Sequence, residues 1–326
     1  MFLLLCSFAA AQETQLTLDP QVADAAGIDE STLQSSFGDA LDGAFHTQAL
    51  DGFTGEMASA NLLSTRGMGV DYASAMQRFA LGGSLGSATS SGKFSFGGGD
   101  SPVPESGFAF QMMVMAGLNL GVLAQDDSPA RRFRVYGNAM KAGTRRGAIS
   151  GEFFNWGAHL QINMIKRRGD KAAEWGGIDL TSGYESSSYT LTLAETYPLD
   201  FGGGIWDATG TYSLAANGRT IPVELSTSLR IVMVSVYVGG AFDTNLVAAA
   251  DNTIRLDGPM TVDIGGRDET LGTANVSYGA SGTSAMFTPR AFGGAQIDIT
   301  LVKVYGQLAT TFDGSIGGHF GVRLVL

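Results

Sequence analysis

Residues 154–164 read FNWGAHLQINM, and their strict alternation decides the fold class. The apolar side chains occupy every second position: Phe154, Trp156, Ala158, Leu160, Ile162 and Met164. A period of two places successive side chains on opposite faces of a β-strand. The apolar face is unbroken over about eleven residues, which is the length that a tilted strand needs to cross a bilayer. Basic residues follow at 166–168, so the strand is expected to end in water.

The same alternation recurs along the chain from residue 106 to residue 326. It is clearest around residues 133–139, 206–214, 272–278, 302–312 and 320–326. We count about 12–14 strands between residues 90 and 326 from the spacing of these runs. Asn217-Gly218 and Asp313-Gly314 have the composition of tight hairpin turns. Residues 229–238 are apolar on both faces, which predicts a strand covered by a neighbouring subunit, an inner helix or lipid.

Composition separates the chain into two regions. The 326 residues carry a net charge of −11, with 46 glycines and 16% charged residues. Residues 1–130 hold 3 basic and 14 acidic residues, whereas residues 131–326 hold 17 of each. The acidic balance argues against nucleic acid as a partner, because phosphate repels acidic surfaces. The single cysteine excludes a disulfide scaffold.

The first region begins with an apolar run that ends in small residues. Ala9 and Ala11 fit signal-peptidase cleavage, so residues 1–11 are predicted to be a signal peptide. Cleavage there would remove Cys6 and leave a mature chain without cysteine.

Residues 12–90 are predicted to form an acidic, partly helical region that acts as a plug, a cap or an oligomerisation arm. One helix is indicated by apolar residues at every fourth position: Leu33, Phe37, Leu41 and Phe45. Asp29 or Ser31 would cap its start. A second helix is predicted over residues 69–81, and residues 91–326 would form the β-domain.

Two architectures fit repeated alternation, a soluble β-sandwich and a transmembrane barrel. The polar faces here consist mostly of Gly, Ser, Thr, Asn and Gln, and aromatic residues such as Phe154, Trp206 and Phe320 lie near strand ends. Charge-poor polar faces and aromatic strand ends favour an all-β fold, a transmembrane antiparallel β-barrel with a small helical N-terminal region. The predicted lipid-facing residues are Phe154, Trp156, Leu160 and Ile162.

The C-terminal residues 318–326, GHFGVRLVL, strengthen this interpretation. With the signal sequence and the alternation over residues 106–326, they resemble a Gram-negative outer-membrane β-barrel of porin-like type. Phe320, Val322, Leu324 and Leu326 are similar to the barrel-assembly signal of that class. The resemblance implies an outer-membrane location, membrane lipids as partners and recognition by the barrel-assembly machinery.

The acidic, helical first region before a glycine-rich barrel also resembles the oligomeric porin-like major outer-membrane proteins of predatory bacteria. Subunits of that family form a ring whose shared wall encloses lipid. This resemblance implies a homo-oligomer.

Basic residues supply the candidate binding positions. Arg145 and Arg146 precede the strand at 147–165, and Lys166, Arg167 and Arg168 follow it. The two groups should lie at opposite rims and contact lipid phosphates or lipopolysaccharide. Arg132, Arg134 and His159 fall on polar faces and are predicted to face the lumen.

The sequence offers no sign of catalytic chemistry. None of its three histidines has another histidine or a cysteine at metal-ligand spacing, so we expect no metal and no cofactor. The interpretation is a non-enzymatic passive pore or an oligomeric scaffold that encloses lipid. The alternatives are a hydrophobic-substrate transporter with an N-terminal hatch, and a secreted soluble β-rich adhesin or surface-layer protein.

Overall fold

The computed structural model describes residues 11–45, 50–74, 76–90, 106–124, 128–170, 172–201 and 203–326. These residues form one antiparallel sheet of 13 strands and three α-helices. The helices are α1 (Pro20–Ala26), α2 (Glu30–Phe45) and α3 (Leu50–Leu63). The strands are β1 (Ala11–Leu18), β2 (Phe79–Thr89), β3 (Phe108–Asn119), β4 (Phe133–Arg146), β5 (Ile149–Ile165), β6 (Arg168–Gly169), β7 (Ala173–Asp200), β8 (Gly204–Ile231), β9 (Val234–Asp263), β10 (Asp268–Thr283), β11 (Phe287–Ile299), β12 (Val302–Thr311) and β13 (Ile316–Val325).

Ten of these strands close into a ring. The order around the ring is β2-β3-β4-β5-β7-β8-β9-β11-β12-β13, and β13 pairs back onto β2. Every neighbouring pair is antiparallel. The predicted fold class, an antiparallel β-barrel with a small helical N-terminal region, is confirmed. The described ring has ten strands rather than the 12–14 counted from the sequence, since alternating runs such as those within residues 204–231 belong to one long strand.

The two ends of the barrel differ. At the end that holds Leu326, two-residue turns at 232–233 and 300–301 connect successive strands, and the longer connections after β3 and β5 also lie there. We call this the short-turn end. At the other end β7, β8 and β9 run on past the ring as strands of 28 to 30 residues. There β10 pairs with the second half of β9, and β1 pairs with β10. This part of the sheet is the extension.

Strand β8 exchanges the polarity of its faces where it leaves the ring. Between residues 221 and 231 its outward side chains, apart from Thr227, are apolar and exposed: Ile221, Val223, Leu225, Leu229 and Ile231. Between residues 205 and 219 the outward face is largely polar, as at Asp207 and Thr211. The inward face changes in the opposite sense, from Glu224 and Ser226 to Trp206 and Tyr212. Within the ring, β8 therefore has an apolar outward face and a polar inward face, whereas in the extension its inward face is apolar and forms part of a protein core.

A β-bulge at Leu246 makes the same exchange in β9. Arg219 of β8 pairs with Val247 and the next residue, Thr220, pairs with Asn245, so Leu246 is the extra residue. A bulge shifts which positions face outward. Before it the outward side chains are Val234, Val236, Val238 and Phe242, and after it they are Asp251, Thr253, Arg255 and Asp257.

The helices cover the apolar inner face of the extension. Phe37 of α2 packs edge-on against Trp206, with ring centroids 4.9 Å apart, and stacks on Phe201 at 5.4 Å. The predicted α2 is confirmed, and Leu33 and Phe37 are buried. The Leu41 and Phe45 side chains lie outside the described residues.

Asp29 is the N-cap of α2, one of the two residues predicted for that position. Its carboxylate accepts hydrogen bonds from the Ser31 and Thr32 hydroxyls and from the backbone N–H of Thr32. These bonds hold the pKa of Asp29 well below its usual range.

Trp206 lies in this core and is fully buried, so the apolar face of residues 206–214 contacts helices. Trp206, which the sequence analysis grouped with Phe154 and Phe320 as an aromatic residue near a strand end of the barrel, therefore does not lie on the outer surface of the ring. Alternation reveals an apolar face without showing whether lipid or protein covers it.

Three other predictions from the sequence are corrected. No described residue from 69 to 81 is helical, because residues 69–74 and 76 lie inside the ring and hydrogen-bond to its wall, and residues 79–81 belong to β2. The β-domain does not begin at residue 91, since β2 is already a ring strand paired with β13 and β3. Asn217-Gly218 lies within β8 rather than in a turn, because both neighbouring strands pair with it there. The turn at Asp313-Gly314 is confirmed, with Gly314 at φ +95°.

Residues 229–238 are not one strand with two apolar faces. They contain the end of β8, a turn at Val232 and Met233, and the start of β9. The turn changes the alternation, so Leu229, Ile231, Val234 and Val236 all point outward. The observation that suggested a covering subunit is thereby removed. Residues 1–10 of the predicted signal peptide lie outside the described residues.

The face exchange on β8 predicts different tolerance at two outward positions of one strand. Leu225→Arg should lower the free energy of unfolding by about 2–4 kcal/mol in lipid, because the charge would sit in the apolar belt. Thr211→Arg, on the same face in the extension, should change it by less than about 0.5 kcal/mol. Urea unfolding in lipid vesicles measures both. Equal losses would show that the belt does not contact lipid.

Candidate functional site

The lumen of the ring is filled by the chain itself. Helix α3 enters from the extension, and the irregular segment after it runs to the short-turn end, where the Arg78 N–H donates to the carbonyl of Leu326 at 2.7 Å. We call residues 57–77 the plug. Its described residues from 60 to 76 are all buried.

The plug contains two charged residues, Arg66 and Asp71, and each meets opposite charge on the wall. The Arg66 guanidinium pairs with Glu185 and lies 3.5 Å from Asp243. The Asp71 carboxylate lies 3.0 Å from the Arg323 guanidinium, which also donates to the carbonyl of Val70 at 3.1 Å. Burying a charge without a partner costs several kcal/mol, so these pairs hold the plug at one position.

Tyr72 joins the plug to a second buried cluster. Its hydroxyl donates to Glu224 at 2.6 Å, and Arg290 donates to the same carboxylate at 2.5 Å. Arg290 also pairs with Asp243 at 3.0 Å, so the two networks share that carboxylate. The Tyr72 ring packs against Tyr237 at 5.6 Å. Shared partners make such networks cooperative, so losing one member weakens the others.

Hydrogen bonds between uncharged groups join other parts of the plug to the wall. The wall side chains of Gln111, Gln161, Gln296 and Asn119 donate to Asn61, to the Asp71 carbonyl, to Ser74 and to the Met76 carbonyl, at 2.9 to 3.2 Å. Gly69 passes so close to Asn138 that a Cβ atom there would overlap the Asn138 amide. The plug is therefore fitted to this wall along its whole length.

Two of the three predicted lumen residues face inward. Arg134 is buried, donates to Gln161 at 2.9 Å and lies 3.9 Å from Asp179. His159 is buried with its Nε2 atom 3.5 Å from Glu185. Arg132 does not face the lumen. It ends the 3-10 turn Pro129–Arg132 and is exposed, because β4 begins only at Phe133.

The basic groups lie at opposite ends, as predicted. Arg145 and Arg146 are exposed at the tip of the β4–β5 hairpin, and Lys166 and Arg168 are exposed at the short-turn end. Arg167 instead turns inward and donates to the Ala73 and Ser74 carbonyls of the plug, the latter at 2.6 Å. The contacts of the exposed four with lipid phosphate stay a prediction.

The predicted outer-surface residues lie on the outer face of the ring. Phe154, Trp156 and Leu160 are each 41% exposed, and Ile162 points the same way but is half-buried. The C-terminal residues Phe320, Val322, Leu324 and Leu326 are also exposed on this face. Their role as an assembly signal stays a prediction.

Sequence reasoning missed the residues that hold the plug. They are Arg66, Asp71, Tyr72, Glu185, Glu224, Asp243, Arg290 and Arg323. One signal was available, since Arg66 and Asp71 are isolated charges in a segment of small and apolar residues. Their partners lie more than 100 residues away in sequence, so no local spacing indicates the pairs.

Among the parts of the chain that the structure describes, no helix has the length and apolar character to cross a membrane. The same residues contain no group of three His, Cys, Asp or Glu side chains arranged to hold a metal ion.

The ring and its filled lumen define a closed antiparallel β-barrel. Residues 13–326 match the Lsa36-like family, and the chain belongs to that family. No curated protein matches the sequence.

Several solved barrels are similar in outline. The translocator domain of the autotransporter NalP from Neisseria meningitidis is 10% identical, with a TM-score of 0.32, over 77% of this chain and 89% of that one. The Acinetobacter baumannii outer membrane protein Omp33 is 9% identical, with a TM-score of 0.27, over 77% of this chain and 99% of that one. The barrel assignment therefore rests on the strand pairing described above.

We expect a large coupling energy between Asp71 and Arg323 in a double-mutant cycle of the free energy of unfolding. Asp71→Asn and Arg323→Met should each lower the free energy of unfolding by about 3–5 kcal/mol, because each leaves a buried charge unpaired. The double variant should lose less than the sum, since neither charge is left. Urea unfolding in detergent measures all three.

The exposed pair Lys141–Glu152, 2.9 Å apart, is the matched control. Lys141→Met and Glu152→Gln should each cost less than about 1 kcal/mol. Strict additivity at Asp71 and Arg323 would contradict the role assigned to that pair.

Proposed function

We propose that this protein works in the outer membrane as a β-barrel closed by its own plug, and that it conducts only when the plug moves. The single observation behind the proposal is the set of buried ion pairs between plug and wall. In a permanently open pore, a charged segment held by ion pairs inside the lumen would obstruct passage. The proposal assigns no catalytic residue.

The membrane location is supported by the outer surface of the ring. Exposed apolar residues surround it, whereas its inward face carries many buried polar and charged residues beside a cluster of apolar ones. On β5 and β8 the apolar stretches run over residues 154–164 and 221–231, close to the roughly 9–11 residues needed to cross a bilayer. A water-soluble barrel of this composition would aggregate through such a belt.

The orientation follows from the unequal ends. Outer-membrane barrels keep short turns on the periplasmic side and longer elements outside. The short-turn end, with Leu326, therefore faces the periplasm and the extension faces the exterior. The polar outer face of the extension suits contact with water.

The polarity of the lumen wall indicates which kind of solute could pass if the plug moved. Carboxylates and guanidinium groups line it, as at Glu224 and Arg290. A route opened there would be polar. This supports a hatch, as in one of the alternatives from the sequence, but favours polar solutes over hydrophobic ones.

Planar-bilayer recording tests the closed state. The purified protein should show no steady conductance, whereas the variant Arg66→Ala, Asp71→Ala, Tyr72→Phe should open repeatedly, because it lacks the pairs that hold the plug. A triple variant on the outer face of the extension, Asp207→Ala, Arg255→Ala, Asp257→Ala, should stay closed. Steady conductance of the unmodified protein would favour a passive pore.

Cysteine labelling tests the orientation. Thr211→Cys in the extension should react with an impermeant maleimide on intact cells, since the mature chain is expected to have no cysteine of its own. Arg168→Cys at the short-turn end should react only after the outer membrane is permeabilised. The reverse pattern would place the extension in the periplasm.

A further inference from the structure

A basic pocket opens at the short-turn end of the barrel. Its volume is about 930 Å³, and it lies between the end of the plug, the loop after β3 and the turn after β5. Six of its described lining residues are cationic: Arg78, Arg131, Arg132, Arg134, Lys166 and Arg167. Asn119 and Asn163 add polar side chains to the lining.

Carboxylates lie beside two of these cations, Arg134 and Arg167. Asp179 lies 3.9 Å from Arg134, and Glu174 lies 4.0 Å from Arg167. Glu174 is shared, because Arg230 approaches it at 2.6 Å. Among the described residues, the lining itself contains no carboxylate. The described part of the lining therefore carries positive charge.

Two buried donors in the pocket lack partners. The Arg134 side chain is 6% exposed, and its Nε atom has no hydrogen-bond acceptor among the described residues. The Nε atom of Arg167 is also buried without an acceptor. Burial and the nearby Arg134 charge lower the pKa of Arg167. Unsatisfied buried donors beside crowded cations indicate a site prepared for an anion.

We propose that this pocket binds a phosphate-bearing anion. Phosphate oxygens accept several charge-assisted hydrogen bonds at once, which matches guanidinium groups converging from β4 and from the loops on either side. The volume exceeds that of inorganic phosphate and leaves room for an attached glycerol or sugar. The same chemistry is offered by a phospholipid headgroup and by a soluble phosphate ester.

The position of the pocket links its ligand to the plug. Arg167 holds the carbonyls of Ala73 and Ser74, and Met76 and Gln77 form part of the pocket lining. A bound anion would contact the same cation that fastens the plug. Binding itself does not depend on whether the barrel ever opens.

Titration calorimetry of the full-length protein in a maltoside detergent tests the site. The probes are inorganic phosphate, glycerol phosphate and dihexanoyl phosphatidylglycerol, with dihexanoylglycerol as the lipid without phosphate. The exposed pair of changes Arg132→Gln, Lys166→Gln should weaken binding at least about tenfold. The matched control Arg255→Gln, Arg267→Gln removes the same charge from exposed residues of the extension and should leave binding unchanged.

The outcomes separate the sources of the ligand. Binding of the phospholipid alone assigns the site to a membrane headgroup, and binding of glycerol phosphate or inorganic phosphate assigns it to a soluble anion. The proposal is overturned if no phosphate compound binds, if dihexanoylglycerol binds as well as its phosphate form, or if both double variants lose affinity equally.

Discussion

Closure of the backbone hydrogen-bond ladder is the constraint on which this structure depends. A sheet with apolar side chains outside cannot leave an open edge in a membrane, because lipid offers no partner to backbone N–H and C=O groups. The pairing of β13 with β2 removes that edge. Closure also encloses the polar inner faces of the strands. The lumen then contains carboxylates and guanidinium groups that need partners.

The plug supplies some of those partners from within the chain. Arg66 reaches Glu185 and Asp243, and Asp71 reaches Arg323, so charges that would be costly alone are neutralised in pairs. The same pairs fix the position of the segment. A barrel built in this way has its closed state specified by electrostatics, and a change in one partner is transmitted to the others through shared residues such as Asp243.

Strands β8 and β9 each pass through two environments, the ring and the extension. On β8 the outward residues change from apolar to polar beyond the ring, and on β9 a bulge at Leu246 makes the exchange. Helix α2 then covers the inner face, where Phe37 meets Trp206. The helices that cover the extension and the plug that fills the lumen are successive parts of one N-terminal segment. The two parts are therefore covalently linked.

The sequence alone determined much of the local structure, although not at residues 69–81 or at Asn217-Gly218. The period-two alternation at 154–164 specifies a strand, the four-residue spacing of Leu33 and Phe37 specifies α2, and Asp313-Gly314 specifies a turn, since each depends on neighbours in the chain. It also placed Arg134 and His159 on an inward face. Only the tertiary structure decided that the apolar face at Trp206 contacts a helix while that at Val223 faces outward, because alternation does not identify what covers a face. It alone paired Arg66 with Glu185 and Asp71 with Arg323, since ring closure brings together residues far apart in the sequence.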